Sequence, residues 1–288
     1  MENILELQQV SKTFPKSNFT LKNVTFSLPY GAILGFVGEN GAGKTTTIGC
    51  ILNTITKDSG TVKLFGQEML DADTILREKI GVVYDGDNFP PYWTARQLSE
   101  VMEGLYTQWD NSLFQKYLED FQLPAKQKIK HYSRGMTMKL AIAAALAHHP
   151  ELLILDEATS GLDPIMRDEM LDVFLEFVQE ENHSILLSSH ITSDLEKVAD
   201  YITFIHKGKL VFSHDKDDLV DNYGIVSCGS VIFDTLDKTD TIAYRKEDYQ
   251  YKVLVRNRNK AAKNYPKAIV SPATIEEIML FYVKGELQ

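Results

Sequence analysis

The 288-residue sequence has few cysteines, no long apolar run and no excess of positive charge. Its two cysteines, Cys50 and Cys228, are far apart in the chain, which excludes a disulfide framework and a cysteine zinc site and favours a reducing compartment. No segment approaches the roughly 18 apolar residues that a membrane span needs. The N-terminal segment MENILELQQV lacks the basic region and apolar core of a signal peptide. We therefore expect a cytoplasmic protein that serves a membrane only through a partner.

The charge balance argues against another class of function. The sequence contains 30 lysine and arginine residues against 40 aspartate and glutamate residues, which gives a formal net charge of −10. A surface of that sign repels polyanions, so we expect no nucleic-acid partner. With 44% hydrophobic and 24% charged residues, the composition is that of a globular protein with a sizeable core.

Apolar strand-like segments alternate with helix-like segments, which predicts an α/β fold with a mostly parallel sheet. Buried strands are expected in AILGFV, EKIGVVYD, ELLILDEA and HSILLSSH. Residues 88–150 show apolar positions at helical spacing and are predicted to form a helical insertion. Residues 213–288 are predicted to form a small C-terminal accessory α+β domain. Its expected strands lie in GSVIFDTL, TIAYRKED and YKVLVRN, and its expected final helix in PATIEEIMLFYVKG.

The stretch GENGAGKTT, residues 38–46, fits the pattern G-x-x-x-x-G-K-[ST] between a predicted strand and a predicted helix. Its glycines let backbone N–H groups face phosphate oxygens at a helix N-terminus. Lys44 would bridge the β- and γ-phosphates, and the Thr45 hydroxyl would ligate Mg²⁺. A purely structural glycine-rich turn is the alternative, but the complete pattern favours a nucleotide. The predicted binding residues are Gly38, Glu39, Asn40, Gly41, Ala42, Gly43, Lys44, Thr45 and Thr46.

Two acidic residues end the apolar run in LLILDEATSGLD. Asp156 is expected at the carboxyl edge of the parallel sheet, where ligands bind in such folds, and there it would hold Mg²⁺. Glu157 would orient, or partly deprotonate, a water that attacks the γ-phosphate. Such a pair can also be a solvated strand cap, but the phosphate loop upstream favours hydrolysis.

The order and spacing of GENGAGKTT, YSRGM, LLILDEATSGLD and ILLSSH resemble those of ABC transporter ATP-binding subunits over residues 4–212. The resemblance implies a P-loop NTPase core with an N-terminal antiparallel β-subdomain, in a cassette formed by residues 1–212. It also implies ATP and Mg²⁺ as ligands.

The resemblance assigns roles to further positions. Phe14 matches the aromatic residue that stacks on adenine, although it, or the neighbouring Phe19, would also suit the core. Asp85 occupies the position of a glutamine that reaches the metal and the attacking water. The aspartate side chain is shorter and charged, and we expect it to serve as a metal ligand. Asp163 matches a loop that signals between subunits. His190 matches a histidine that contacts the γ-phosphate.

YSRGM, residues 132–136, occupies the place of the family's signature, most often L-S-G-G-Q. Ser133 and Gly135 are retained, and the resemblance implies that they contact ATP bound by a second subunit. Arg134 replaces a glycine, where it would add a cation near the phosphate or lie on the surface. Met136 replaces a glutamine. The nearby NFPPYW would suit either the core or a docking surface for a partner.

The variant signature and the tail helix resemble a subgroup of bacterial exporters that includes Gram-positive exporters of amphipathic or antimicrobial peptides. We therefore expect an ATPase subunit that acts as a homodimer or heterodimer of cassettes, peripheral on the inner face of the membrane through a separate permease. One alternative is a soluble ABC-type ATPase acting on nucleic acid or ribosomes. Another is a cassette that binds ATP but barely turns it over, because of Asp85, Arg134 and Met136.

Overall fold

A computed structural model describes residues 2–16, 19–70, 73–86 and 88–286. The chain forms two compact units. The first comprises residues 1–199 and 205–210, and the second comprises residues 200–204 and 211–288. The domain boundary predicted between residues 212 and 213 stays a prediction. Within the described ranges, no helix is both long enough and apolar enough to cross a bilayer.

An antiparallel layer opens the first unit. Strand β1 pairs with β2 on one side and with β4 on the other, and β5 extends β4. Leu5, Leu7 and Val10 of β1 are buried, and both pairings contain register shifts. The predicted N-terminal antiparallel β-subdomain is therefore confirmed. Its strands are β1 (Asn3–Phe14), β2 (Phe19–Pro29), β4 (Ser59–Leu64) and β5 (Gln67–Glu68).

Four parallel strands form the core of the first unit, in the order β3-β8-β7-β6. Strands β3, β7 and β8 are buried at every residue, which explains their continuous apolar sequences. All four carboxyl ends meet at one edge, where the phosphate loop and the acidic pair follow. The strands are β3 (Ile33–Val37), β6 (Ile80–Tyr84), β7 (Leu152–Asp156) and β8 (Ser184–Ser189). The helices of this core are α1 (Lys44–Ile51), α2 (Thr74–Glu78), α6 (Pro164–Phe177) and α7 (Thr192–Val198).

Three helices and a 3₁₀ turn occupy the predicted helical insertion. Helix α3 begins at a reciprocal capping box between Thr94 and Gln97, and Asp110 caps α4. Phe114 of α4 and Leu140 of α5 are fully buried in the shared core of this layer. The elements are α3 (Ala95–Leu105), α4 (Asn111–Asp120), the 3₁₀ turn Ile129–His131 and α5 (Arg134–Leu146).

The second unit contains a four-stranded antiparallel sheet in the order β12-β13-β11-β14. Val226, Val253 and Val255 are buried in its core. The strands β9 (Tyr201–His206) and β10 (Lys209–Asp215) are divided between the two units, because residues 205–210 belong to the first unit, whereas residues 200–204 and 211–215 belong to the second. Its other elements are α8 (Lys216–Asn222), β11 (Gly224–Cys228), α9 (Ser230–Phe233), β12 (Thr241–Glu247), β13 (Gln250–Val255), α10 (Arg258–Asn264), β14 (Ile269–Pro272) and α11 (Ile275–Lys284).

One predicted strand in this unit is wrong. GSVIFDTL forms the short helix α9, and the strand lies just before it, in β11. The backbone N–H of Phe233 donates to the carbonyl of Gly229 at 3.0 Å, which closes a helical turn. Ile232 and Phe233 pack on the core while Val231 is 80% exposed. Neighbouring residues on one face do not fit the alternation that a strand requires.

Candidate functional site

The phosphate loop follows β3 and ends at the first residue of α1. A Cβ at Gly38 would lie 2.5 Å from the backbone oxygen of Ile205, so only glycine fits there without movement of the chain. Gly41 and Gly43 have φ values of 79° and 116°, in the left-handed region that favours glycine. The loop therefore takes a conformation that its glycines permit, directly before a helix N-terminus that is suited to binding anions.

A turn from elsewhere in the first unit supports this loop from behind. The N–H of Gly208 donates to the carbonyl of Ala42 at 2.8 Å, and the N–H of Lys22 donates to the carbonyl of Gly208 at 2.7 Å. No sequence motif indicates this support. The Lys207–Gly208 pair, a turn signal between two apolar strands, marks the turn but not its position under the loop.

Lys44 is almost completely buried, with 6% of its side chain exposed. Its Nζ donates to the carbonyl of Gly38 at 2.6 Å and lies 3.0 Å from Oε1 of Glu157. A buried ammonium needs such partners, because its desolvation is costly. The structure thus brings the predicted phosphate-binding lysine against the predicted catalytic carboxylate.

Asp156 ends β7 with its carboxylate buried and held from two sides. Oδ2 accepts a hydrogen bond from the Thr45 hydroxyl, and Oδ1 accepts one from the Ser188 hydroxyl, each at 2.8 Å. Hydroxyl and carboxylate oxygens are ligands that Mg²⁺ prefers, and in phosphate sites it adds substrate oxygens and waters to one or two such groups. Thr45 and Asp156 fit the predicted metal site, whereas the role of Ser188 was not predicted.

Glu157 has a φ of 56°, an uncommon conformation for a residue other than glycine. Its N–H donates to the carbonyl of Ser188 at 3.0 Å, which holds the turn. Oε2 accepts a hydrogen bond from Nδ1 of His190 at 2.5 Å, while Oε1 faces Lys44. Strained residues of this kind cluster at functional sites, where the surrounding contacts hold them in place.

Lys44, Thr45, Asp156 and Glu157 border an open cavity of about 900 Å³. The pKa of the Tyr84 hydroxyl, on its wall, is raised by burial and further by the charge of Asp156, so the phenol stays protonated at neutral pH. Neither Tyr84 nor Phe19 was predicted as a site residue. The described residues on the wall are Phe14, Phe19, Asn40, Gly41, Gly43, Lys44, Thr45, Thr46, Tyr84, Asp85, Asp156 and Glu157.

The aromatic part of the wall is a pair rather than a single ring. Phe14 and Phe19 are partners in the β1–β2 register, and their ring centroids are 6.3 Å apart. Lys12 Nζ lies 5.8 Å from the centroid of Phe14. Both rings are half-buried. Stacking of Phe14 on adenine stays a prediction.

Seven predicted residues are not among the described residues of the cavity wall. Four of them adjoin it: Gly38, Glu39 and Ala42 belong to the phosphate loop, and His190 contacts Glu157. The other three are Ser133, Gly135 and Asp163. Ser133 caps α5, its hydroxyl accepting from the N–H of Met136 at 3.2 Å. Gly135 is buried against the sulfur of Met166, so a Cβ there would fit only if the Met166 side chain moved. Asp163 caps α6 by accepting from the N–H groups of Ile165 and Met166. A single chain therefore does not bring Ser133, Gly135 and Asp163 to its own cavity.

The two atypical residues of the site contact each other. Nη2 of Arg134 lies 2.7 Å from Oδ1 of Asp85, and both side chains are about half exposed. Asp85 lines the cavity, as predicted for a metal ligand, but its described partner is this guanidinium.

Comparison with known proteins places this site in a family. The sequence profile of the ABC transporter family matches residues 21–160. The bacitracin transport ATP-binding protein BcrA of Bacillus licheniformis is 35% identical over 213 residues, which cover 73% of this chain and 69% of that protein. The chain belongs to the ABC transporter family.

Further relatives agree with this membership. The lantibiotic transport ATP-binding protein SrtF of Streptococcus pyogenes is 33% identical over 218 residues, covering 74% of this chain and 92% of its own length. A solved structure of an ATP-binding subunit of an ABC transporter superposes with a TM-score of 0.69 at 26% identity, covering 76% of this chain and 92% of that one. This ABC protein is accordingly an ATP-binding subunit with the fold of that family's ATPases.

Proposed function

We propose that this protein hydrolyses ATP and thereby drives the export of a peptide or peptide-like compound through a separate membrane permease. The observation that supports it best is the arrangement around Glu157. Its carboxylate lies between Lys44 and His190, and Glu157 lines the same cavity as the hydrogen-bonded pair of Thr45 and Asp156.

The contacts suggest how the site operates. An incoming γ-phosphate competes with Glu157 for the Lys44 ammonium, because phosphate oxygens are strong acceptors for a lysine at this position. Oε1 of Glu157 is then free to accept a proton from a water. That water forms a new P–O bond as the bond to the leaving ADP breaks, and Glu157 takes its proton. His190 holds Oε2 and so fixes the carboxylate.

The groups that would bind Mg²⁺, the phosphates and the adenine belong to the same cavity or to the loop beside it. We infer that Thr45 and Asp156 hold Mg²⁺, which neutralises charge on the β- and γ-phosphates when bound. Asp85 lies on the same wall with its carboxylate paired to Arg134, so we assign the metal to Thr45 and Asp156, and the role of Asp85 as a ligand stays a prediction. Loop residues 38–46 bind the phosphates through their N–H groups, and Phe14 stacks on the adenine.

A second cassette, identical or not, completes each site in the proposal. Ser133, Gly135 and Asp163 lie outside the cavity wall described for their own chain, so we assign them to the ATP of the partner. The cassette of residues 1–212 forms the dimer, and residues 213–288 form an accessory domain. Through its permease partner, the protein lies peripherally on the inner face of the membrane in this proposal.

The export direction and the class of cargo rest on relatives. Those reported above are named for bacitracin and lantibiotic transport, and another is named for linearmycin resistance. These names favour a peptide or antibiotic over nucleic acid or ribosomes as the object of the ATPase, and the net charge of −10 agrees with that preference.

ATP binding is tested by Lys44→Ala, with Lys197→Ala as a matched control because Lys197 forms an exposed ion pair with Asp168 away from the cavity. Titration with a fluorescent ATP analogue should show at least about a tenfold loss of affinity for Lys44→Ala. The control should bind as the parent does. Equal binding by the parent and Lys44→Ala would refute the phosphate-loop assignment.

The permease is tested by purifying the tagged chain from detergent-solubilised membranes. A polytopic membrane protein should co-purify in a constant ratio. Recovery of ribosomes without any membrane protein would instead support the alternative function.

A further inference from the structure

Arg134 and Asp85 connect two segments that are far apart in sequence. Arg134 is the first residue of α5, between Ser133 and Gly135, and Asp85 directly follows β6 at the cavity wall. The guanidinium and the carboxylate approach to 2.7 Å. The start of the helix that carries the signature is thus tied to the loop that borders the nucleotide cavity of the same chain.

A third segment lies under the guanidinium. A Cβ at Gly161 would be 2.7 Å from both Cζ and Nη1 of Arg134, so the absence of a side chain at Gly161 makes room for it. Gly161 has a φ of 71° and belongs to the turn that follows Glu157. Arg134 therefore contacts the loop after β6 and the turn after β7 at once, which its planar, forked head group suits.

The pair also depends on both departures of this chain from the family pattern. The sequence resemblance places a glutamine at position 85 and a glycine at position 134, and those two residues cannot form an ion pair. The aspartate and arginine found here are complementary in charge and meet within one chain. This contact engages Arg134 in its own subunit, which argues against a role for it as a free cation aimed at the phosphate of a second subunit.

We propose that Arg134 is a positioning residue for ATP turnover. Through Asp85 and the Gly161 turn, it fixes the N-terminus of α5, and hence Ser133 and Gly135, relative to the nucleotide cavity. The inference rests on the proposed ATPase function and names a contact within that site. Half-exposed ion pairs add little to stability and are screened by salt. We therefore expect loss of the Arg134–Asp85 pair to change the rate of ATP turnover and to leave the melting temperature almost unchanged.

The test compares ATP turnover by the full chain, together with its permease where the two co-purify. The variants are Asp85→Asn, Arg134→Gln and the charge swap Asp85→Arg with Arg134→Asp. Arg96→Gln is the matched control, since it breaks an exposed ion pair with Glu100 within α3. Phosphate release gives kcat and the KM for ATP, and melting temperatures monitor folding.

Each single variant should lower kcat about three- to tenfold, within the range seen for coupled neighbours, and leave the KM for ATP within about twofold. The charge swap should recover most of the loss, and Arg96→Gln should match the parent. Raising the ionic strength from about 0.05 to about 0.5 M should lower the kcat of the parent more than that of Arg134→Gln.

The positioning role would be overturned if the single variants had the parent's kcat. It would also be overturned if kcat of the charge swap fell by as much as the product of the two single-variant losses. A rise in the KM for ATP in Arg134→Gln would overturn it too, by pointing to direct phosphate contact. These outcomes leave the ATPase proposal intact when the parent hydrolyses ATP and Lys44→Ala does not. A parent that releases no phosphate would overturn both proposals.

Discussion

Gly38→Ala tests whether the phosphate loop has its shape because of the backbone behind it. The added Cβ would lie 2.5 Å from the carbonyl oxygen of Ile205 and 3.1 Å from the Cβ of Ala42. Neither neighbour can rotate away, since one is main chain and the other a methyl group on the same loop. Overpacking of this kind costs about 1–3 kcal/mol of unfolding free energy. Thermal midpoints should fall by about 2–4 °C for each kcal/mol in a unit of this size.

The same substitution should also weaken nucleotide binding. The phosphate loop must move to relieve the clash, and the N–H groups that bind the phosphates move with it. A loss of about 1.4 kcal/mol in binding corresponds to tenfold in affinity, so we expect at least that for ATP.

Gly104→Ala is the matched control, because Gly38 and Gly104 both lack a positive φ and differ in what surrounds a new Cβ. No atom lies within 4 Å of the position that a Cβ would take at Gly104, which lies in α3. The variant should bind ATP as the parent does and melt no lower than the parent. Wild-type ATP affinity in Gly38→Ala, or equal damage in both variants, would refute the reasoning.

Two further predictions concern packing and pH. Gly135→Ala overlaps the sulfur of Met166, whose flexible and half-buried side chain can turn aside, so urea denaturation should show a loss below the about 1–3 kcal/mol of rigid overpacking. The loss should be smaller in a Met166→Ala background, and equal losses in both would contradict the packing. Burial, the largest cause, lowers the pKa of His148 below its usual 6.5, so the unfolded state binds the proton more readily and stability falls as pH drops below about 6.5. His148→Gln should remove part of that decline between pH 7.5 and 5.5, and an unchanged decline would exclude His148 as its source.

The parallel core could be predicted because its strands are buried on both faces and therefore read as continuous apolar runs. The phosphate loop could be predicted equally well, because its glycines and its lysine lie close together in the sequence. Short elements were not: α2 and α10 have five and seven residues, too few for a helical period to stand out. The strand prediction for GSVIFDTL was wrong because its β-branched residues favour strands, whereas tertiary packing favours a helical turn there.

The missing parts of the site depend on contacts over long sequence separations. Ser188 reaches Asp156 because β7 and β8 pair those two residues in register, which no motif specifies. Arg134 and Asp85 are 49 positions apart, so their pairing follows from the packing of α5 beside β6. From the sequence alone, Arg134 could either contact the phosphate or lie on the surface.

The central claim is that Glu157 activates the water that cleaves ATP in this cavity. Glu157→Gln keeps the shape of the side chain and its contact with His190 but cannot take a proton. ATP binding should persist, a dimer stabilised by ATP should appear in size-exclusion chromatography, and phosphate release should fall by about 10²- to 10⁴-fold. Phosphate release by Glu157→Gln at the rate of the parent would contradict the account.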